Sequence, residues 1–333
     1  MLVSRRPLGR AFLAGAGFAI VGRAQAQART VLRLGWTTGD GANDPYATGA
    51  RFFKEEAEKR SNGRLDVQLF PNRALGDERP MLDGMRLGTV DMGVITNAVI
   101  AQVEPAFQIN DMPFLFADEA AAQRGLDGAM GNSLAQRLET RGVVNLGYME
   151  GGFRQMINNV RPIVHPADLR GVKFRVLQSP IYVGMYTALG GTAVPMAWGE
   201  TFTAVQQGTV DGLEIPLAVI DANRYNEVTK YLSLTNHIYS MIALLIAKRS
   251  FDRLPADLKQ VVRDAGIAAT AAQRAASIRN ARAIAEGLRG KGMAVNTIAN
   301  PAEFRQAVLP MYEQFRGAIG ADVVQEALAA SRS

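Results

Sequence analysis

The hydrophobic positions of this chain change period along its length, and the changes mark its elements. Val31 to Trp36 reads as a first strand. The turn-rich run from Gly39 to Pro45 places Asp40 or Asp44 as a cap, and a helix follows from Tyr46 to Arg60, where Phe52, Phe53 and Ala57 recur at helical spacing. Leu65 to Phe70 alternates as a second strand, Met81 to Leu87 predicts a second helix ended by Gly88, and Val90 to Ile95 a third strand. This β-α-β-α-β order argues an open α/β sheet whose strand-end loops face a ligand.

Pro105 to Phe116 reads as an apolar, proline-interrupted linker, and Glu119 to Arg141 as helical, with Gly125, Gly128 and Gly131 as break points. Val143 to Tyr148 is a strand, and the glycine-rich bend Gly151 to Arg154 is where the chain first crosses to a second lobe. That lobe repeats the first in small: a strand over Lys173 to Leu177, a helix over Ser179 to Leu189, a strand over Thr192 to Pro195, a helix over Trp198 to Gln207, and a strand opened by Thr209-Val210. Gly88-Thr89-Val90-Asp91 and Gly208-Thr209-Val210-Asp211 are the same four residues in the same context, a helix running into a glycine that can take the left-handed conformation. Two related α/β lobes are expected. Asp221 to Tyr231 reads as polar helix, and Met241 to Ala247 as a buried strand recrossing to the first lobe. Pro255 to Gly290 is a long helix taken as a solvated brace, and Pro301 to Phe315 and Ala321 to Ala330 are terminal helices. The expected lobes are discontinuous, residues 29–151 with 241–280 and residues 152–240 with 281–333, with the ligand cleft between them.

Composition narrows the function. The chain has 333 residues, 48% hydrophobic and 20% charged, as a globular protein does. Its net charge of +6 comes from Lys and Arg interleaved with acids, so nucleic-acid binding is not expected. There is no cysteine, which excludes disulfides, thiolate nucleophiles and Cys-ligated metals. Arg5, Arg6 and Arg10, the apolar run Ala11 to Val21 and the small-residue site Ala24-Gln25-Ala26 predict a signal peptide over residues 1–26 and a periplasmic mature protein. Ser4-Arg5-Arg6 resembles the start of a twin-arginine signal, so the Sec and twin-arginine routes both stay open. No later stretch reaches transmembrane length.

Catalytic constellations are absent from the sequence. It has no Gly-x-Ser-x-Gly elbow, His-Glu-x-x-His or P-loop, and its two histidines, His165 and His237, are isolated. Adjacent Asp77 and Glu78 do not face each other on a helix. Neither a metal nor a cofactor is expected. Binding chemistry is better represented. In Val172 to Val176 the apolar positions face one side and Lys173 and Arg175 the other; an arginine turned into a closed cleft requires an anion, while a solvated edge strand is the alternative. Arg154 sits at the glycine-rich bend. Glu214, just before Ile215-Pro216, is a candidate ligand-binding residue, with a first-turn acid of a helix as the alternative. Trp198 is either a pocket wall or a core aromatic.

Six ordered motifs carry a resemblance over essentially the whole mature chain: Leu75-Gly76-Asp77-Glu78-Arg79, Leu87-Gly88-Thr89-Val90-Asp91, Gly152-Phe153-Arg154, Leu169 to Val176, Pro195-Met196-Ala197-Trp198, and Val210 to Pro216. In these the chain resembles the DctP-type substrate-binding proteins of tripartite ATP-independent periplasmic (TRAP) transporters. The resemblance implies a two-lobed periplasmic binding protein fold with hinge-crossing strands and a long bracing helix. It implies a receptor that captures a small organic acid and delivers it to membrane permease subunits. By motif, Arg175 would clamp the ligand carboxylate with Arg154 assisting, and Thr37, Glu78, Thr96, Gln178, Trp198 and Ile215 would line the pocket. One departure from the family pattern is Ile215, where many sugar-acid and dicarboxylate binders carry Asn; with Trp198 it implies a less polar ligand body. Thr96 stands where sialic-acid binders carry Glu, which argues against that ligand. A periplasmic enzyme acting on an organic acid, or a ligand sensor docking to a membrane receptor, are the alternatives.

Overall fold

The computed structural model describes residues 29–332; the expected signal peptide lies outside the described residues. The first lobe opens with β1 (Thr30–Gly35), α1 (Pro45–Arg60), β2 (Leu65–Phe70), α2 (Glu78–Leu87) and β3 (Met92–Thr96), with β1 between β2 and β3 and all three parallel. After the short α3 (Asn97–Ile100) and a 3-10 turn over 105–111 come α4 (Glu119–Asp127) and α5 (Ala129–Thr140), separated at Gly128 as the glycines predict. Next is β4 (Val143–Asn158), 16 residues long. The second lobe repeats the opening unit as β5 (Lys173–Val176), α6 (Pro180–Ala188), β6 (Thr192–Pro195), α7 (Trp198–Gln206) and β7 (Gly212–Pro216), with β5 between its two parallel neighbours. Then follow α8 (Leu217–Ala222), β8 (Tyr231–Leu234), β9 (Tyr239–Ala247), α9 (Lys248–Asp252), α10 (Ala256–Gly290), β10 (Ala294–Thr297), α11 (Pro301–Val308), α12 (Pro310–Ile319) and α13 (Ala321–Arg332).

The twin tetrapeptides occupy equivalent places. Gly88 and Gly208 both adopt positive φ, 82° and 73°. In both, the Thr and Val amides fold back onto one carbonyl of the preceding helix, that of Gly84 in the first and Ala204 in the second. Such a cap satisfies carbonyls that a helix end leaves open. Asp91 Oδ2 then accepts from the backbone N–H of Arg33 in β1, and Asp211 Oδ2 from that of Lys173 in β5. Each aspartate therefore fastens the central strand of its lobe. The Thr-Val pairs belong to the cap and the strands begin after the aspartates, two residues later than the hydrophobic pattern suggests.

Joining the lobes is the work of β4. Its first part pairs antiparallel with β9 in the first-lobe sheet, and its last residues, Arg154 to Asn158, pair with β7 in the second. The expected bend at Gly151-Gly152 is a register shift between Glu150 and Gly152 inside a continuous strand. Gly152 has φ 93°, a bulge conformation open to glycine and strained for other residues. At the bulge, Gln273 of α10 accepts from Glu150 N–H (2.9 Å) and donates to Glu150 C=O (2.6 Å). Arg274 donates to Tyr148 C=O (2.9 Å) and pairs with Asp127. The long helix is thus no solvated brace along this stretch: Gln273 and Arg274 are buried and hold the crossing strand.

Other expectations need correcting. Residues 221–231 are not one helix; α8 ends at Ala222, a 3-10 turn covers 225–227, and β8 begins at Tyr231. β8 and β10, which pair in parallel, were not among the expected strands. The last helix, expected with the second lobe, packs on α4 and α5 of the first, with Arg137 bonded to Asp322 (2.6 Å).

Gln273→Leu keeps the volume but orphans two buried backbone groups of Glu150. At about 1–3 kcal/mol for each unsatisfied group, the variant should lose about 3 kcal/mol of stability, read as a fall of several degrees in thermal unfolding.

Candidate functional site

The C-terminal ends of β1, β3, β5 and β7 converge between the lobes, where open α/β sheets place their ligands. A cavity lies there, with about 350 Å³ of atom-free space that is partly open to solvent. The first lobe lines it with Thr37, Thr38, Tyr46, Glu78 and Thr96, and the second with Arg154, Arg175, Leu177, Trp198, Ile215, Pro216 and Val219.

Arg175 is only 1% exposed. As the third residue of β5, in the middle of three parallel strands, it points from the sheet towards the start of α7. Its Nε and Nη2 both donate to the Met196 carbonyl, at 3.0 and 2.7 Å, and its Cζ lies 5.9 Å from the Trp198 ring centroid. Neither contact cancels its charge. No carboxylate among the described residues forms an ion pair with it. Burial lowers its pKa, but a guanidinium stays charged at any ordinary pH. The bond to Met196 occupies one edge of the fork and leaves Nη1 without a hydrogen-bond partner among the described residues. The solvated-edge alternative is therefore excluded.

Arg154, 3% exposed, is arranged differently. Its Nε donates to Glu214 Oε2, its Nη2 to Glu214 Oε1 (2.9 Å) and to the Glu214 carbonyl (2.6 Å), and its Nη1 to Ser240 Oγ (3.1 Å). This is a bidentate pair with its charge satisfied internally. Burial alone would raise the Glu214 carboxyl; the Arg154 charge overrides it and holds the carboxyl below its usual value. His237 completes the cluster. Burial pushes its pKa down, its Nε2 lies 3.3 Å from Glu214 Oε2, and its Nδ1 lies 2.7 Å from Thr235 Oγ1. The neutral ring with Nε2–H towards Glu214 satisfies both contacts. Glu214 is accordingly a buried counter-ion in β7 and not the first-turn acid of a helix.

The opposite wall is polar and carries no positive charge. Glu78, the first residue of α2, is 5% exposed. Its Oε1 accepts from Thr96 N–H (3.0 Å) and Thr96 Oγ1 (2.7 Å), and Thr96 Oγ1 also meets Tyr46 Oη at 2.7 Å. Burial pushes the Glu78 carboxyl up to about 7. Asp44 caps α1 through the amides of Tyr46 and Ala47, and burial pushes it up to about 6. Deeper in, Asp111 is bonded by Tyr182 Oη (3.3 Å) and pushed up to about 7 by burial.

Of the nine site residues expected from the sequence, Thr37, Glu78, Thr96, Arg154, Arg175, Trp198 and Ile215 line one cavity. Glu214 stands behind Arg154. Gln178 does not join them: it is exposed, and its carbonyl accepts from Gln102 Nε2 across the lobes (2.9 Å). Tyr46, Thr38, Leu177, Pro216 and Val219 were missed. Tyr46 was findable, because a cap at Asp44 sets the first turn of α1 against the cleft. Trp198 lies against the Arg175 guanidinium and tilts on Tyr225, so it is a pocket wall.

A two-lobed α/β fold with a cavity between the lobes, lined by convergent polar and charged side chains, is that of a solute-binding protein. The family model for bacterial extracellular solute-binding protein family 7, DctP, matches residues 37–318, and the chain belongs to that family. A solute-binding protein of Verminephrobacter eiseniae (strain EF01-2) is 38% identical over 304 residues, which are 91% of this chain and 90% of the relative. The 2,3-diketo-L-gulonate-binding periplasmic protein YiaO of Escherichia coli (strain K12) is 33% identical over 277 residues, 83% of this chain and 84% of the relative. The sugar acid binding protein DctPAm of Advenella mimigardefordensis, solved with galactonate, superposes with a TM-score of 0.88 at 32% identity, covering 92% of this chain and 98% of that one. A TRAP periplasmic solute-binding protein of Polaromonas bound to D-erythronate gives 0.87 at 36% identity, covering 90% and 99%. Relatives of this kind are transport receptors and not enzymes. Among the described residues, no helix is long and apolar enough to cross a membrane.

Two substitutions probe the buried charges. Glu214→Ala strands the Arg154 guanidinium and should cost about 3–5 kcal/mol in thermal unfolding. Asp111→Asn tests a proton. Burial raises Asp111 from 3.8 to about 7, so the folded chain keeps a proton that the unfolded chain has released. That stability is complete below the unfolded value and is lost as pH rises through the folded one. Between about pH 4 and about pH 7 the wild type should lose stability relative to Asp111→Asn, by at most about 1.4 kcal/mol per pH unit, with a constant difference above.

Proposed function

We propose that this chain is the periplasmic receptor of a TRAP transporter, that it captures a small hydroxylated carboxylate through Arg175, and that it delivers the solute to a membrane permease. The observation that carries the reading is the buried Arg175 guanidinium, which has a carbonyl and an aromatic face against it but no carboxylate. Its uncommitted edge matches the two oxygens of a carboxylate. The ligand's carbon skeleton would lie against Trp198, Ile215 and Val219, and its hydroxyls would meet Thr37, Thr38 and Thr96 on the opposite wall. Galactonate, D-erythronate and succinate, found in structural neighbours, share a carboxylate and differ in length and hydroxylation. The apolar Ile215 favours an acid with a less polar body. Arg154 acts as a support, because its fork is already filled by Glu214.

The test is a thermal-unfolding panel of galactonate, D-erythronate, succinate and a neutral sugar. A ligand at about a hundred times its Kd adds about 2.7 kcal/mol, a shift of a few degrees. Arg175→Ala should remove the shift and weaken Kd at least about a hundredfold, since a buried charge-assisted pair is lost. Arg175→Lys should recover little, because it keeps a charge but not the fork. A shift that persists in Arg175→Ala, or one produced only by the neutral sugar, overturns the reading.

A further inference from the structure

Charge counting in the cavity assigns Glu78 a task that its hydrogen bonds leave open. Arg154 is cancelled by Glu214, so Arg175 is the one uncompensated cation among the residues that line the cavity. A carboxylate ligand, as proposed above, balances it. An ionised Glu78 would then be a second negative charge lining the same cavity, with no cation left for it. The carboxyl is half committed: Oε1 takes both bonds from Thr96, while Oε2 bonds to no described residue.

We propose that Glu78 takes up one proton from solvent as the ligand enters and donates it from Oε2 to an acceptor on the ligand, so that capture is coupled to protonation and selects carboxylates with a hydroxyl, carbonyl or second carboxylate oxygen facing the first lobe. The step is a simple protonation of the carboxylate to the acid. The surroundings support it. Asp77, the cap residue just before α2, adds negative charge, and its Oδ2 accepts from Gly199 N–H. Tyr46 on α1 meets Thr96, and burial keeps its hydroxyl neutral. Asp44, at the cap of α1, is bonded to Thr38 and the Tyr46 and Ala47 amides. Arg175 on β5 holds the Glu78 pKa down, and that influence is the one a bound carboxylate cancels. Burial already brings Glu78 to about 7. The same arrangement explains the Thr96 contacts, which suit an acid that accepts at one oxygen and donates from the other.

Isothermal titration with D-erythronate and with galactonate, from about pH 6 to about pH 9 in two buffers of different ionisation heat, tests this. Kd should be level below about pH 7 and rise above it by up to about tenfold per pH unit, and the binding heat should differ between buffers. In Glu78→Gln the amide oxygen can still accept from Thr96 and the amide N–H can donate, so Kd should no longer vary with pH and the heat should no longer depend on buffer, whatever the absolute affinity. Binding that requires Arg175 but is independent of pH and buffer in the wild type overturns the proton uptake alone. Wild-type pH dependence retained in Glu78→Gln overturns it too. No binding of either acid at any pH overturns the carboxylate reading on which it rests.

Discussion

Burying a guanidinium away from water costs several kcal/mol unless an anion stands against it. The cleft buries two, and the chain treats them oppositely. Arg154 is enclosed by Glu214, Ser240 and, through Glu214, His237, so its charge is spent inside the protein. Arg175 is given the Met196 carbonyl and the Trp198 ring, which orient it without neutralising it. The difference lies in where one carboxylate points. β7 runs between β4 and β5, yet Glu214 turns both its oxygens to Arg154 on β4, and no acid among the described residues pairs with Arg175 on β5. The proposed capture of a carboxylate rests on this asymmetry.

Holding that asymmetry requires β4 to keep its register through both sheets. A glycine bulge lets the strand turn between the lobes, and it leaves backbone groups that the ladder does not use. Gln273 takes up those of Glu150, so the long helix holds the crossing strand where it is weakest. The paired aspartates, Asp91 and Asp211, do a similar service for β1 and β5, whose ends carry Thr37 and Arg175 to the cleft.

Much of this is legible in the chain. Alternation and helix signals carry both β-α-β-α-β units, and the repeated Gly-Thr-Val-Asp marks their likeness. Seven of the nine expected site residues meet in one cavity because strand-end loops in such sheets point to one place. What failed did so for physical reasons. Gly151-Gly152 reads as a bend because local pattern cannot distinguish a bulge inside a strand from a turn after it. Glu214 looks like a helix acid because its partner, Arg154, is 60 residues away in sequence. Gln178 follows the strand closely enough to suggest the pocket, yet its side chain leaves the cleft and only its carbonyl bridges the lobes. Long-range pairing, which no window of sequence contains, decides each of these.

The lobes also touch outside the cavity. Asp77 accepts from Gly199 N–H, Gln102 donates to the Gln178 carbonyl, and Asn223 ties to Gly39 and Asp44. None of Asp77, Gly199, Gln102, Gln178 or Asn223 lines the cavity. Any opening of the cleft must first break these contacts, so they set how much of the empty protein already stands shut. Apparent affinity scales with that fraction. Residence time of the captured solute is thereby adjustable from the rim, and a lineage can lengthen or shorten it by exchanging one rim residue while the groups that recognise the solute stay unchanged.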